Sequence, residues 1–338
     1  MIYTFLDNRV YRSYAGGGKV DRLVAGRGPE HCPEDWIAST VRACNPGREA
    51  IEEGLSHVSD GRLWGDLVSA DPVGMLGQRS VALYGGQMPI LVKVLDSDER
   101  LVIQAHPTVE FARKYFHSLF GKTECWYILE ADEGAHVYLG FREGITREKW
   151  EALFHRQDIE EMLACLHRLP ARRGDCFLVP GGVPHAIGGG TLMIELQEPT
   201  DLMVIPERKT PSGAALDERK LHGGLGFERM FDCFIYEGLT DAQVAANLLP
   251  KPMEIDAHRT LIVGKPYTDR FAMERITIRQ SSSLPAFDCG LVAIVTRGEG
   301  MMIGRGTYRV QQGDRLFVPA SEGRLELRGT FELILCHV

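Results

Sequence analysis

A short segment built as a turn, a buried strand and a terminator occurs twice in this chain. Gly174-Asp175-Cys176-Phe177-Leu178-Val179-Pro180 returns as Gly313-Asp314-Arg315-Leu316-Phe317-Val318-Pro319. In each copy Gly-Asp makes the turn, an apolar run makes the strand, and a Pro, which has no N–H for the ladder, ends the pairing. The recurrence implies two related β units rather than one α/β winding. Around it, MPILVKVLDSDERLVIQAHP reads as two β-branched-rich strands joined by a polar turn at 96–100. TECWYILEA and AHVYLGF read as strands flanking the turn DEG, and after Gly174 the chain is mostly short β runs cut by Gly and Pro.

Helical periodicity interrupts this pattern in two places. Val109, Ala112, Phe116, Leu119 and Phe120 fall on one helical stripe, with Pro107 at a first-turn position and Gly121 as a stop. A second helical region starts near Thr146 and restarts at Asp158, with Ile159, Met162, Leu163, Leu166 and Leu169 on one face and Pro170 and Gly174 ending it. Insertions at about 107–120 and 146–169 are therefore expected. A shorter helix is expected in GDLVSADPVGML within a loop-rich first 75 residues, and another at 241–249. The fold class is mainly β with helical insertions, as two antiparallel jelly-roll barrels. They divide at the polar stretch 209–226 into residues 1–226 and 227–338.

Composition excludes several functions. The net charge is −8 and no run of Lys/Arg exceeds two, so neither nucleic acid nor an acidic membrane surface is the expected partner. No apolar stretch reaches the roughly 20 residues that span a bilayer, and no secretory signal is visible. The eight Cys form no CxxC pair, and Cys125, Cys165, Cys176 and Cys336 lie in apolar runs, as buried free thiols do. A reduced cytoplasmic protein is expected.

The residues that carry chemistry lie in the first unit. Residues two apart in a strand share a face, so Gln104 and His106 in LVIQAHP project together, as do Lys122 and Glu124 in GKTECW if the strand begins at Gly121. A third element, G-x5-P-x-G-x2-H, is met by Gly174, Pro180, Gly182 and His185 and turns a strand so that the His reaches the barrel interior. Taken singly, a His before a Pro is more often structural. Two His elements in one β framework, with a carboxylate on a neighbouring strand, point instead to a metal site made of Gln104, His106, Glu124 and His185. Two imidazoles, a carboxylate and an amide oxygen bind a borderline divalent ion and leave a position open for substrate. In the second unit Arg324 stands where His185 would be, and LVAIVTRGEGMMIG holds no His. That barrel is expected to be metal-free, with a structural or oligomer-forming role such as a homodimer contact.

The segments PILVKVLD, IQAHPTVEFA, GKTECWYILEAD, GDCFLVPGGVPHAIGGGTLMIELQEPTD and GDRLFVPA, with Trp36 in EDWIAS, resemble the cupin superfamily. Within it they are similar to class I mannose-6-phosphate isomerases of the short bacterial type. The resemblance is specific between Pro89 and Asp201 and general in the C-terminal part. It implies two cupin-like barrels, one Zn2+ per chain on the four ligands above, and interconversion of mannose 6-phosphate and fructose 6-phosphate. A small sugar phosphate would be the partner. It further implies Lys93 and Lys122 as active-site lysines and Glu195 as an active-site carboxylate. The chemistry suits such a site: moving a carbonyl between C1 and C2 needs a stabilised oxyanion and a group that shuttles a proton. Cations should hold the phosphate.

One position departs from the family. Its catalytic Arg follows a segment like QEPTD, and here that place falls on Ile205. Arg208, in VIPERK, is the expected stand-in, provided that Pro206 and a bulge redirect the strand. Because Ile can neither donate to an oxyanion nor move a proton, a metal-binding cupin that holds sugar or sugar phosphate with little turnover is the alternative. An iron-dependent cupin oxygenase is a third reading, since imidazole and carboxylate also accept iron.

Overall fold

The computed structural model describes every residue except 25, 30, 46 and 49. Among these residues three sheets carry the fold, and every strand pairing described within them is antiparallel. A six-stranded sheet includes, in spatial order, Arg9–Val10, Glu34–Ile37, Leu91–Ser97, Thr191–Gln197, Glu124–Ala131 and Cys176–Val179. A three-stranded sheet, Leu166–Pro170, His136–Phe141 and His185–Ile187, faces it. A nine-stranded sheet is built mainly from the C-terminal part, around the long strands Leu291–Ile303 and Leu325–His337. Among the described residues no helix is long and apolar enough to cross a membrane.

The strands at the centre of the six-stranded sheet are apolar almost throughout because both faces are covered. On Thr191–Gln197, Leu192, Ile194 and Leu196 pack outward in one core with Ile294, Phe317 and Ile334 of the nine-stranded sheet. Met193 packs inward with Trp126, Val137, Leu139 and Ile187, between the two smaller sheets. Glu195 shares the inward face, and so does Lys93 opposite it. Alternation thus delivers charged side chains into an otherwise apolar barrel.

Both copies of the repeated segment form strands, Cys176–Val179 and Arg315–Val318. Two segments cross position 226, where the sequence places a boundary. The N-terminal strand Tyr3–Thr4 pairs with Arg315–Val318. Val244 and Leu248, at the helix Asp241–Asn247, pack into the core of the first barrel.

The helical insertions are shorter than their periodicity suggests. The first runs Val109–Phe116; Thr108 caps it by accepting from the Phe111 N–H, so Pro107 lies before the cap, and His117 at φ 53° ends it. Leu119 is solvent-exposed rather than on the buried stripe. The second comprises Arg147–Arg156 and Ile159–Ala164, capped by Thr146 and Asp158 as read from the sequence. Leu166 and Leu169, however, belong to the strand Leu166–Pro170, because pairing with His136–Phe141 satisfies their backbone and outweighs local periodicity. The helical stretch near residue 70 is two helices, Trp64–Ala70 and Pro72–Leu76, separated by Asp71, whose side chain caps the second. The helices Lys19–Leu23 and Gln78–Tyr84 were not foreseen. The segment LVIQAHP is no ladder strand: Gln104 and Ala105 make single bridges to His185 and Val204.

Candidate active site

His106, Glu124 and His185 meet inside the first barrel. Each offers a ligand atom, and these atoms lie within 4.8 Å of one another. His106 Nε2 is 3.1 Å from Glu124 Oε2, and His185 Nε2 is 3.5 Å from Glu124 Oε1. Two glycines allow the close backbone approach behind this cluster: a Cβ at either Gly121 or Gly181 would come within 2.7 Å of the Pro107 carbonyl. With that space free, the Lys122 N–H donates to Pro107 O at 3.0 Å and the Gly182 N–H donates to His106 O. The same two glycines therefore bring the His106 loop, the strand start before Glu124 and the His185 turn together. Gln104 exchanges both backbone hydrogen bonds with His185 and lines the adjacent cavity.

The hydrogen bonds around the imidazoles favour a metal. His106 Nδ1 faces Leu202 O at 2.9 Å and His185 Nδ1 faces Val183 O at 2.9 Å, so each Nδ1–H is spent on a carbonyl and each Nε2 presents a lone pair. His185 Nε2 is buried and has no hydrogen-bond partner among the described residues. Such an orphaned acceptor costs free energy unless something electropositive meets it. Burial and the neighbouring His106 hold His185 down to about 3, which keeps it neutral as a ligand must be. Burial would raise the Glu124 carboxyl, but the adjacent Lys122 ammonium holds it well below the usual carboxylate range. The Trp126 indole donates to Glu124 Oε1 at 3.0 Å and orients it. This donor set fits a borderline divalent ion.

A cavity opens beside the cluster, with Gln104, Lys122, Lys93, Glu195 and Ile205 in its walls. Lys122 Nζ lies 2.9 Å from His106 Nε2 and 3.2 Å from Glu124 Oε2. Lys93 Nζ donates to Glu195 Oε1 at 2.7 Å. Burial pushes the Glu195 carboxyl up, against the pull of Lys93.

Of the residues expected from the sequence, one lies elsewhere. Arg208 stacks between the rings of Phe154 and Phe227, 4.8 and 4.9 Å from their centroids, and does not line the cavity. The backbone explains the diversion. The carboxylate of Glu207 turns back to Arg100 and to the Ile103 N–H, while the Arg208 N–H donates to Gln157 Oε1 at 2.7 Å. Residue 208 is thereby tied to the helical insertion rather than to the barrel interior. Ile205 does line the cavity, 1% exposed.

The sequence reading passed over a second set of charges. Arg12 is buried between Glu34 (Nε to Oε1, 2.9 Å) and Asp201 (Nη2 to Oδ1, 3.2 Å), with its Cζ 5.1 Å from the Trp36 ring. Glu34 also accepts from the Tyr14 hydroxyl and the Trp36 indole, each at 2.7 Å. Arg12 comes from a Gly-rich segment without periodicity, so its only local signal was a cluster of charges beside aromatic residues in VYRSY and PEDWI.

Family models match two parts of the chain: the catalytic domain of type I phosphomannose isomerase at residues 47–139 and the cupin domain of mannose-6-phosphate isomerase at residues 265–338. The mannose-6-phosphate isomerase ManA of Bacillus subtilis is 30% identical over 260 residues, covering 76% of this chain and 77% of that one. The chain belongs to the type I mannose-6-phosphate isomerases. A mannose-6-phosphate isomerase of Streptococcus mutans is 28% identical over 342 residues, 98% of this chain and 97% of its own. The fold agrees along the whole length. The crystal structure of the Bacillus subtilis mannose 6-phosphate isomerase covers 100% of this chain and 99% of its own, at a TM-score of 0.79 and 20% identity. A phosphomannose isomerase structure from Salmonella typhimurium covers 99% of each chain at a TM-score of 0.75 and 14% identity. Membership in this family of enzymes disfavours the weak binding protein suggested by Ile205.

Proposed function

We propose that this chain interconverts mannose 6-phosphate and fructose 6-phosphate with one zinc ion held by His106, Glu124, His185 and Gln104. The observation that carries the reading is the neighbourhood: a His–Glu–His set with an unused imidazole nitrogen lies beside a buried Lys93–Glu195 pair on the same cavity. Relatives across most of the chain bear the name mannose-6-phosphate isomerase, which supports the substrate.

The chemistry divides among these residues. A bound divalent ion supplies Lewis-acid stabilisation of the oxyanion that develops as a proton leaves the carbon next to a carbonyl. Glu195, with its carboxyl raised by burial, is suited to hold and return the proton that moves between C2 and C1 through an enediol-like intermediate. Lys93, bonded to that carboxylate, keeps it oriented and offsets its charge. Lys122 supplies a positive charge next to the His–Glu–His set, where negative charge develops. The buried walls limit the water that could exchange with the intermediate.

A coupled assay of fructose 6-phosphate formation on zinc-loaded protein, beside a chelator-stripped control, tests the proposal. Turnover that depends on added zinc is expected. Full activity in stripped protein would remove the metal from the mechanism, and no turnover in metal-replete protein would remove the reaction.

A further inference from the structure

Among the described residues, five cationic side chains line the cavity: Arg12, Lys93, Arg100, Lys122 and Lys220. Four are already held by carboxylates. Arg12 is bound to Glu34 and Asp201, Lys93 to Glu195 at 2.7 Å, Arg100 to Glu207 at 2.6 Å, and Lys122 to Glu124 at 3.2 Å. The Lys220 ammonium alone makes no hydrogen bond or ion pair with the described residues. It projects from the short helix Glu218–Leu221, at the place where an outer cleft, lined also by Arg42, Cys44 and Arg219, shares Asp201, Met203 and Lys220 with the inner cavity.

Charge bookkeeping then decides which group can receive a phosphate. A phosphomonoester carries about −1.5 to −2 charges at neutral pH and is costly to bury unless it meets a cation. Recruiting Arg12, Lys93, Arg100 or Lys122 would mean breaking an ion pair and leaving its carboxylate uncompensated. Recruiting Lys220 breaks nothing and supplies a missing counter-charge. The side chain already bears the mark of that deficit: burial and the like charge of Arg12 hold its ammonium below the usual lysine range.

We propose that Lys220 binds the phosphate group of the substrate at the mouth of the cavity and thereby sets the preference for a phosphorylated over a free hexose. This rests on the reading of the site as one for hexose phosphates. It gives Lys220 a role in recognition, separate from the residues that move the proton.

The test uses the full-length, zinc-loaded protein and its Lys220→Met and Lys220→Arg variants. Methionine keeps an unbranched side chain at this half-buried position, and thermal melts check that each variant folds. In Lys220→Met the KM for mannose 6-phosphate rises roughly tenfold or more, as for loss of a charge-assisted hydrogen bond. Its kcat stays within about twofold of wild type. Competitive inhibition by inorganic phosphate weakens in proportion, any turnover of unphosphorylated mannose is unchanged, and Lys220→Arg recovers most of the loss. An unchanged KM and phosphate inhibition in Lys220→Met, or an equal rise in KM for both sugars, overturns the assignment. Calorimetric titration with mannose 6-phosphate separates this inference from the proposed reaction. If the wild type binds the ligand through Lys220 without turning it over, the reaction fails and the assignment stands. If it binds none, or binds equally without Lys220, the assignment fails.

Discussion

Lys93 and Glu195 are register partners on adjacent antiparallel strands, and their side chains meet inside the barrel with Nζ 2.7 Å from Oε1. Neither is more than 3% exposed, so the pair forms in the absence of bulk water. Lys93 also sits 4.8 Å over the Trp36 ring and 3.9 Å from Glu34, which links it to the Arg12 network. A charged pair placed this way on a barrel wall is costly to desolvate, and a well-packed apolar pair would serve stability at least as well. Its presence is better explained by chemistry.

Replacing Glu195 with Gln keeps the shape and removes the proton acceptor. The expected result is a fall in kcat of roughly 100-fold or more, together with a loss of stability of about 3 kcal/mol because Lys93 is left buried without its counter-charge. Lys93→Met should cost about as much stability, because Glu195 is left without its counter-charge, but less kcat, because the carboxylate that moves the proton remains. Steady-state kinetics and thermal melts on both variants distinguish the roles. A Glu195→Gln variant with kcat within twofold of wild type would mark the pair as structural.

The His–Glu–His set predicts a metal-dependent melting temperature. An ion that binds only the folded state, at a free concentration about 1,000 times its Kd, adds about 4 kcal/mol. Chelator-stripped protein should therefore melt earlier and regain both stability and activity on addition of zinc. Elemental analysis should find about one metal ion per chain in the wild type and none in His185→Ala. A His185→Ala protein that retains one ion per chain would refute the ligand assignment.

The meeting of His106, Glu124 and His185 was readable from the sequence because each sits in a segment whose local geometry is fixed by Gly and Pro. The approach of Gly121 and Gly181 to Pro107, and the turn before His185, leave few options for where those side chains go. Lys93 and Glu195 were indicated by the resemblance alone, and it is the strand register that sets them opposite each other on the inward face. Arg12, Asp201 and Lys220 were not readable as a group. They come from a Gly-rich N-terminal loop, a loop after Gln197 and a short helix, and only tertiary contacts unite them. Arg208 failed for a related reason, since its direction is set by Glu207 and Gln157, neither of which the strand pattern could take into account. The end of the second insertion failed because Leu166 and Leu169 satisfy helical spacing and strand pairing alike.

Arg208→Ala provides the check on that correction. With its guanidinium stacked on Phe154 and Phe227, the variant should lose about 1–2 kcal/mol of stability. Its kcat/KM for mannose 6-phosphate should stay within about twofold of wild type. Loss of activity without loss of stability would return Arg208 to the active site.

The Arg12 network predicts a dependence of stability on pH whose direction follows from Glu34. Burial alone would raise this carboxyl, but Arg12, Lys93 and the hydrogen bonds from Arg12 and Tyr14 hold it far below the usual carboxylate range. A folded-state value below that of the unfolded chain means that folding favours the ionised form. The resulting stabilisation is complete above the unfolded value, about 4.3 for Glu. It is lost progressively as the pH falls below that value, by up to about 1.4 kcal/mol per pH unit. Glu34→Gln has no proton to bind, so it should be less stable than the wild type by about 3 kcal/mol at pH 7. The gap should narrow between pH 4.5 and 3, because the wild type loses this contribution and the variant does not. Urea unfolding of both proteins at several pH values measures the gap directly. A gap that stays constant down to pH 3 would mean that Glu34 binds its proton equally in both states, and the ion-pair account of the Arg12 network would fall with it.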